Sequence, residues 1–495
     1  MGAKKYIIAI DQSTQGTKSM IIDNDGQVVA SVSLPHRQII TPQGWVEHDP
    51  EEIAANLMKM VREMVCSSGI DKNAIAGVGV ANQRETVAVW NRKTGKPVYN
   101  AIVWQCNRAT AQCERIEKAG KADFVRRTTG LKLSPFFSGP KVAWILDNVP
   151  GAREAAERGE LACGTMDCWV IWTLTKGTVH RSDFSNCSRM MLMDLKKLCW
   201  SPEVCSLFDI PMSMFPEICD SDALYGYTDF DGLLDKPVPI HGDAGDSHAC
   251  LYAQGCFDKG AVSAGCGTGT CVIMNIGSDF VLSDNGLLTS IAWKTKEGLC
   301  YAYDGVINYS GAVITWLYKD LGLVSSPAET EKLALEADPN DRTILVPAFT
   351  GIGAPYWSNE SNGVFWGMSR TTKRAELVRA GLESMDFQIA DVIKAMEQDS
   401  GTKVPFICCS GGPAKNNYLM QFLSDVMDST VLVPSNEEMT CLGAAILAGK
   451  ALGIMDLSVI ERAYTRRKYT SAMNADVRRE KQQRWNLAVK QTLCR

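Results

Sequence analysis

Two carboxylates stand close together in a Gly-rich segment near the middle of the chain. Asp243 and Asp246 follow the apolar stretch 238–240, within the sequence Gly-Asp-Ala-Gly-Asp-Ser. A carboxylate on a loop at the end of a strand can take a proton from an alcohol, so Asp246 is a candidate general base. The alternative interpretation is that Asp246 caps a helix that begins at Ser247.

A second group of residues has the chemistry to bind a diol. Arg84 and Glu85 follow the apolar run 76–80, which predicts a strand that ends just before them. Arginine donates hydrogen bonds and glutamate accepts them, and the hydroxyls of a diol do both. Trp104 offers an apolar wall for the carbon chain. A surface ion pair and a core tryptophan are the alternatives.

Two polar Gly/Thr turns follow predicted strands, one in each half of the chain. The second is Gly265–Thr270, and neither turn has the Walker pattern GxxxxGK[ST]. In the first, Gly16 lets the backbone approach a phosphate, and Asp11 can hold magnesium through water. A single turn of this kind is commonly a hairpin loop, whereas two facing turns make a phosphate clamp. The first turn also brings hydroxyl, amide and ammonium groups, from Thr14, Gln15, Thr17 and Lys18.

A third glycine-containing segment, Ser410–Gly412, lies between a predicted strand and a predicted helix. It can admit the base and ribose of a nucleotide, or it can be a tight strand-to-helix turn. Together with the two phosphate turns, a base and a diol pocket, it completes the set of groups that γ-phosphoryl transfer requires.

The elements that position these residues repeat along the chain. Each half opens with a strand, a Gly/Thr turn and a second strand, which predicts an α/β duplication with a ligand cleft between the halves. We place the division at 1–256 and 257–495. A helix is predicted after Asp49, which can cap it, with Glu52 completing a capping box. The predicted opening strands are Tyr6–Ile10, Ser19–Asp23, Ala261–Ser263 and Cys271–Asn275.

Composition narrows the function class. The 495 residues carry a net charge of −5 and are 45% hydrophobic and 22% charged, which indicates a globular chain with no reason to bind nucleic acid. No apolar run is long enough to cross a membrane. The eighteen cysteines are expected to be reduced and mostly buried in a cytoplasmic protein. Residues 476–492 predict a packed terminal helix around Trp485.

Taken in order, these motifs resemble the FGGY carbohydrate kinase family and, within it, the glycerol kinases. The resemblance covers almost the full length. The segments that carry it are Ile10–Gln12, Gly44–Pro50, Asn82–Thr86, Asn100–Gln105, Phe137–Gly139 with Lys141 and Trp144–Asp147, Val346–Gly351, Ala354–Trp357, Gly411–Gly412 with Asn416, and Leu442–Ala445.

The resemblance implies two actin-like (ribonuclease H-like) domains that close on ATP, magnesium and a small polyol. It makes Asp246 the base and Asp11 the carboxylate on the magnesium side, and it implies a homodimer or homotetramer. The polyol site would comprise Arg84, Glu85, Trp104, Phe136, Asp246, Ser247 and Cys271. The nucleotide site would comprise Thr14, Gln15, Gly16, Lys18, Thr268, Gly311, Thr315, Gly412 and Asn416.

Several positions depart from the pattern of the glycerol kinases. Phe136, Ser247 and Cys271 stand where these enzymes usually have Tyr, Gln and Phe, so the pocket is expected to be roomier and less polar on one side. The leading acceptor is glycerol. The alternatives are a larger polyol or ketopentose (erythritol, ribitol, xylulose) and, more remotely, an actin-like or chaperone-like ATPase that binds a macromolecule. On the nucleotide side, Lys18, Thr315 and Ser410 replace Arg, Gln and Asp.

Overall fold

The structure, a computed structural model, describes residues 4–358 and 360–493. Strands and helices are interspersed along the chain, in agreement with the α/β prediction. The strands are β1 (Tyr6–Gln12), β2 (Gly16–Asp23), β3 (Val28–Pro35), β4 (Ile39–Ile40), β5 (Val46–His48), β6 (Ile75–Asn82), β7 (Val87–Asn91), β8 (Ala101–Ile102), β9 (Leu161–Thr165), β10 (Arg181–Asp183), β11 (Met193–Asp194), β12 (Cys199–Trp200), β13 (Glu217–Cys219), β14 (Leu224–Thr228), β15 (Val238–Gly245), β16 (Val262–Cys266), β17 (Thr270–Gly277), β18 (Leu288–Thr295), β19 (Gly298–Ile307), β20 (Ile344–Val346), β21 (Val364–Trp366), β22 (Phe406–Ser410), β23 (Thr430–Pro434) and β24 (Arg466–Tyr469). The α-helices are α1 (Pro50–Ser67), α2 (Thr110–Lys118), α3 (Ala122–Thr129), α4 (Ser138–Asn148), α5 (Ala152–Glu157), α6 (Met166–Leu174), α7 (Phe184–Ser188), α8 (Pro202–Leu207), α9 (Asp246–Ala253), α10 (Ala312–Thr315), α11 (Glu329–Glu336), α12 (Arg374–Ser400), α13 (Asn417–Met427), α14 (Met439–Ala451), α15 (Val459–Ala463) and α16 (Ala475–Leu493).

The first large sheet has six strands in the order β14-β15-β6-β1-β2-β3. β1 and β2 form an antiparallel hairpin, while β6 runs parallel to β1 and to β15. The hairpin ladder continues to the pairs Asp11–Lys18 and Gln12–Thr17. The predicted turn was therefore too long: only residues 13–15 lie outside the strands, because the two strands stay paired up to that point.

The second large sheet repeats this plan. Its seven strands have the order β18-β19-β17-β16-β22-β23-β24, with an antiparallel hairpin β16–β17 and β22 parallel to β16. Here too the strands run further than predicted, and the turn is residues 267–269. Both hairpins thus stand beside a parallel strand, which is the duplication that the sequence indicated.

Helix α1 shows one correct prediction and one wrong prediction about its start. Asp49 caps it, because its side chain accepts hydrogen bonds from the backbone N–H groups of Glu51 (2.9 Å) and Glu52 (3.3 Å). The expected capping box does not form. The Glu52 carboxylate instead accepts from the backbone N–H of Arg37 (3.1 Å) and from its Nε (2.8 Å), a stronger charged partner.

Helix α14 comes from the second half of the chain and packs against β1, β6 and β15 of the first sheet. Glycines allow this close approach. A Cβ at Gly79 would lie 2.3 Å from the Ala444 carbonyl oxygen, and one at Gly443 would lie 2.0 Å from that of Ala249. A side chain at Gly79 would push α14 away from the sheet, and one at Gly443 would push it away from α9.

The cysteines among the described residues are all free thiols. None of the helices formed by the described residues combines the length and apolar character that a bilayer span requires. The predicted terminal helix is α16, where the Trp485 ring stacks on Phe387 at 5.0 Å and its Nε1 donates to Asp391 at 2.6 Å.

Candidate active site

Asp246 lies where two parallel strands of the first sheet end. β15 continues to Gly245, which pairs with Asn82 at the end of β6, and α9 begins at Asp246 itself. The predicted Gly-rich loop is therefore strand, and the predicted helix starts one residue earlier. The Asp246 carboxylate does not cap α9. It accepts from the backbone N–H of Ser247 at 2.6 Å and from its hydroxyl at 3.0 Å.

A cavity of about 250 Å³ opens beside this carboxylate. Four of the predicted site residues line it: Asp11, Asp246, Ser247 and Cys271. Because Asp11 and Asp246 come from the first sheet and its following helix while Cys271 comes from β17, both halves of the chain contribute to its walls.

Arg84 and Glu85 are buried, so they are not a surface ion pair. Arg84 reaches toward the cavity: its Nε lies 3.4 Å from Asp246 Oδ1, and its Nη2 donates to the Cys271 sulfur at 3.1 Å. Its Nη1 donates to Asp304 at 2.6 Å, and Glu85 pairs with Arg189 Nε at 2.5 Å. Two cations and two anions thus balance inside the protein, which is how buried charges are tolerated.

The backbone at Glu85 adopts a left-handed conformation, with φ of +61°. The Thr86 N–H donates to the Arg84 carbonyl at 2.7 Å across this residue, and the Ser138 hydroxyl donates to the Glu85 carbonyl at 3.0 Å. A positive φ at a non-glycine residue costs roughly 1–3 kcal/mol and is retained mainly where it has a purpose. Here it turns successive side chains toward the same buried network.

Burial and neighbouring charges set the protonation of this network. Burial raises the pKa of Asp246, and Arg84 opposes that shift. Burial also acts to raise the pKa of Asp304, but Arg189 and Arg84 outweigh it and hold that pKa well below its usual range. Burial raises the pKa of the Cys271 thiol to about 12, so it remains protonated and donates to Asp304 Oδ1 at 3.3 Å.

Asp11 has the features of a cation-binding residue. Its Oδ1 is buried and has no hydrogen-bond partner among the described residues. Burial, and then the charge of Asp246, raise the pKa of Asp11 to about 7. A magnesium ion held near a carboxylate and nucleotide phosphates would satisfy that oxygen, so the residues present fit this ion.

Two aromatic side chains form a wall beside Arg84 and Glu85, the predicted diol-binding residues. The rings of Trp104 and Phe136 meet edge to face at 5.7 Å, and the Trp104 indole N–H donates to the Thr14 hydroxyl at 3.0 Å. Lys141 supports the wall from behind by donating to the Phe136 carbonyl. Burial lowers the pKa of Lys141 to about 7, so it is partly neutral near physiological pH.

Three of the five predicted nucleotide residues of the second half, Thr268, Gly311 and Gly412, lie in or near the second turn. The backbone N–H of Gly311 donates to the Gly267 carbonyl at 3.0 Å, and the Ala312 N–H donates to the Thr268 carbonyl at the same distance. Gly411 has φ of +94°, and a Cβ there would lie 2.1 Å from the Cys266 carbonyl oxygen. Thr268, Gly311 and Gly412 are therefore neighbours of one turn.

Several predicted residues have other partners in the structure. Gly16 packs closely against Leu34: a Cβ at this position would lie 2.5 Å from the Leu34 carbonyl oxygen. Thr17 is buried and does not reach the cavity. Lys18 Nζ pairs with Glu438 at 2.6 Å. Asn416 caps α13, and Gln15 and Thr315 are exposed.

Sequence reasoning missed Arg189 and Asp304. Asp304 is a single acid in the middle of the apolar run Tyr301–Ile307, which is a signal for a buried functional charge. Arg189 lies beyond the short helix α7 and gave no local signal. Lys141 lies in a segment that carries the family resemblance, but no local pattern predicts its role.

Two hairpin-led sheets that meet at a cavity lined by carboxylates are the arrangement of a phosphotransferase that acts on an alcohol group. The chain belongs to the FGGY family of carbohydrate kinases: residues 6–252 match its N-terminal domain and residues 262–452 its C-terminal domain.

Similar proteins agree with this assignment. A glycerol kinase of Alkaliphilus oremlandii is 46% identical over 450 residues, covering 91% of this chain and 89% of that protein. Glycerol kinase 1 of Thermotoga maritima is 42% identical over 490 residues, covering 99% of each.

Among solved structures, Plasmodium falciparum glycerol kinase with ADP is 34% identical with a TM-score of 0.93, covering 99% of this chain and 98% of that one. A ligand-bound xylulose kinase of Lactobacillus acidophilus, 22% identical with a TM-score of 0.88, shares the fold over 98% of this chain and 97% of that one. The predicted family and two-domain α/β fold are confirmed.

Proposed function

We propose that this protein transfers the γ-phosphoryl group of ATP to a terminal hydroxyl of glycerol, giving sn-glycerol 3-phosphate. The observation that carries the proposal is the adjacent buried residues Arg84 and Glu85, held by a strained backbone, with the Arg84 guanidinium 3.4 Å from the Asp246 carboxylate that lines the cavity. The similarity to glycerol kinases over nearly the whole chain supports the same acceptor.

In this reaction Asp246 takes the proton of the acceptor hydroxyl, and the hydroxyl oxygen forms a bond to the γ-phosphorus while the bond to ADP breaks. Arg84 donates to the polyol hydroxyls and Glu85 accepts from them. Trp104 and Phe136 cover the carbon chain. Ser247 holds the Asp246 carboxylate, and Cys271 closes the far side of the pocket.

On the nucleotide side, we propose that the two hairpin turns face the phosphates of ATP. Bound magnesium would neutralise phosphate charge, and Asp11 is the residue that would hold it. The nucleotide-contacting residues of the proposal are Thr14, Gln15, Gly16, Lys18, Thr268, Gly311, Thr315, Gly412 and Asn416, among which Lys18 must share its charge with Glu438.

We further propose that the chain forms two domains, residues 1–256 and 257–495. The protein would assemble as a homodimer or homotetramer in the cytoplasm and act on small molecules. Light scattering coupled to gel filtration tests the assembly, because one subunit has a mass of 54.2 kDa. A single species at that mass would contradict the oligomer.

The decisive experiment measures ADP release with ATP, magnesium and a panel of glycerol, erythritol, ribitol and xylulose. We expect the highest kcat/KM with glycerol, and omission of magnesium should abolish turnover. ATP hydrolysis that no polyol accelerates would contradict the proposal and favour an ATPase that binds a macromolecule.

A second candidate, a kinase for a four- or five-carbon acceptor, is favoured by the small side chains at the pocket wall. Ser247 and Cys271 leave space beside Asp246, and Phe136 offers no hydroxyl. A missing neutral hydrogen bond to substrate weakens binding by roughly 0.5–1.5 kcal/mol. If erythritol, ribitol or xylulose outranks glycerol in the same panel, this candidate replaces the first.

A further inference from the structure

Asp304 is the centre of the buried charge network, although it does not line the cavity. It lies on β19 and is completely buried. Its Oδ2 accepts from Arg84 Nη1 at 2.6 Å and lies 3.0 Å from Arg189 Nη1, while its Oδ1 accepts from the Cys271 thiol at 3.3 Å. One carboxylate therefore contacts three side chains around the polyol site.

These contacts cross between the two halves of the chain. Arg84 and Arg189 belong to the part that matches the N-terminal family domain, whereas Asp304 and Cys271 belong to the part that matches the C-terminal one. Arg84 and Glu85, the proposed diol-binding residues of the first half, are therefore held in a charge network that includes an anion from the second half. Neither half contains the complete network.

Arg84 is fixed between competing anions. Its Nη1 donates to Asp304, and its Nε is 3.4 Å from Asp246. Its Nη2 donates to the Cys271 sulfur. Without the negative charge of Asp304, the nearest remaining carboxylates for this guanidinium are Glu85, already paired with Arg189, and Asp246. Arg84 would then turn toward the base and away from the position that it holds in the structure.

We propose that Asp304 is a positioning residue for the acceptor: it anchors Arg84 across the two halves, so that the guanidinium meets the polyol and leaves Asp246 free. The inference rests on the proposed function. It predicts that Asp304 affects the acceptor more than the nucleotide, since two of its partners, Arg84 and Cys271, belong to the proposed polyol site.

The test compares Asp304→Asn with Asp304→Glu in steady-state kinetics, varying glycerol and ATP separately. We expect Asp304→Asn to raise the KM for glycerol ~10-fold or more and to lower kcat, because misplacing a binding group by about 1 Å can cost up to ~100-fold. The KM for ATP should change less than ~2-fold. Asp304→Glu restores the charge and should recover most of the loss.

A matched control removes another ion pair that joins the two halves. Asp220 pairs with Lys294, and neither residue lines the cavity. Asp220→Asn should leave both KM values within ~2-fold of the wild type, because surface pairs contribute little. If Asp304→Asn does not accumulate as folded protein, Cys271→Ala replaces it. That variant removes the thiol between Arg84 and Asp304 without unpairing a charge, and it should raise only the KM for glycerol.

Three results would overturn the inference: wild-type kinetics in Asp304→Asn, equal increases in the two KM values, or no recovery in Asp304→Glu. For Cys271→Ala, an unchanged KM for glycerol would do the same. If the wild-type enzyme phosphorylates glycerol and a variant gives one of these contradicting results, only the role of Asp304 is refuted. A wild-type enzyme that phosphorylates no polyol refutes the proposed function as well.

Discussion

The indole N–H of Trp104 donates to the hydroxyl of Thr14 at 3.0 Å, which connects the wall of the proposed acceptor pocket to the first hairpin turn. The proposed acceptor side and the proposed phosphate side of the site thus share one hydrogen bond. Any movement of the turn on nucleotide binding would be transmitted to the wall, and a polyol against the wall would steady the turn.

Removing this bond should weaken the coupling between the two ligands. Trp104→Phe keeps an aromatic ring but loses the donor, and Thr14→Val keeps the shape but loses the acceptor. A double-mutant cycle on ATP affinity, with and without glycerol, should give an interaction of about 1 kcal/mol. Strictly additive effects would show that the bond contributes nothing.

Asp246→Asn should lower kcat at least ~100-fold, the usual scale for a general base, while glycerol still binds. Asp243→Asn is the matched control three residues away. Burial raises the pKa of Asp243 well above its usual range, which favours the neutral acid, and an amide replaces that form closely. Stopped-flow and steady-state assays of both variants would assign the base, and similar losses in both would argue against Asp246.

Activity should decline as the pH falls below about 7. Burial and Asp246 raise the pKa of Asp11 to about 7, so the carboxylate form that we propose holds magnesium is lost on the acidic side of that value. We expect kcat/KM for magnesium-ATP to rise through pH 7 and then level off. Asp11→Asn should be weakly active across the whole pH range. If this variant still loses kcat/KM below pH 7 as the wild type does, Asp11 is not the group whose protonation causes the loss.

Asp386 should make the fold less stable as the pH rises. It is fully buried, and neither carboxylate oxygen has a partner among the described residues. Burial raises its pKa well above the usual value, so the folded chain keeps a proton that the unfolded chain loses above about pH 4. Stability therefore falls with pH over that window, by at most about 1.4 kcal/mol per unit.

Asp386→Asn removes this titration with little change of shape. The difference in Tm between the variant and the wild type should therefore move in favour of the variant between pH 5 and pH 8, measured by scanning fluorimetry. Asp279→Asn, at an exposed position, is the control and should show a constant difference. A constant difference for Asp386→Asn would contradict the prediction.

Local patterns in the sequence were enough to single out several residues that the structure brings close together. Asp246 and Arg84 were found because polar residues that directly follow apolar strand runs end up at the edge of a sheet, and parallel strands bring those edges together. The positions of strand ends were less predictable. Lys18 and Gly245 looked like loop residues, and only the pairing of each strand with its neighbour extended the ladder over them.

Long-range pairing explains what could not be predicted. Asp304 is 220 residues from Arg84, and no local pattern identifies that partner. The same applies to Glu438, which pairs with Lys18 although 420 residues separate the two in sequence. Glu52 was expected to bond within its own helix, but Arg37 offered a charged alternative that a local motif does not include.

The placement of α14 has a consequence for the integrity of the chain. This helix lies between β23 and β24 of the second sheet in sequence but packs against the first sheet, so a chain cut between residues 256 and 262 would still have its two pieces held together by α14. Limited proteolysis there would give two bands under denaturing conditions and one particle under native conditions. The pieces would also be expected to reassemble when expressed together, whereas the first piece alone would expose the apolar face that α14 covers.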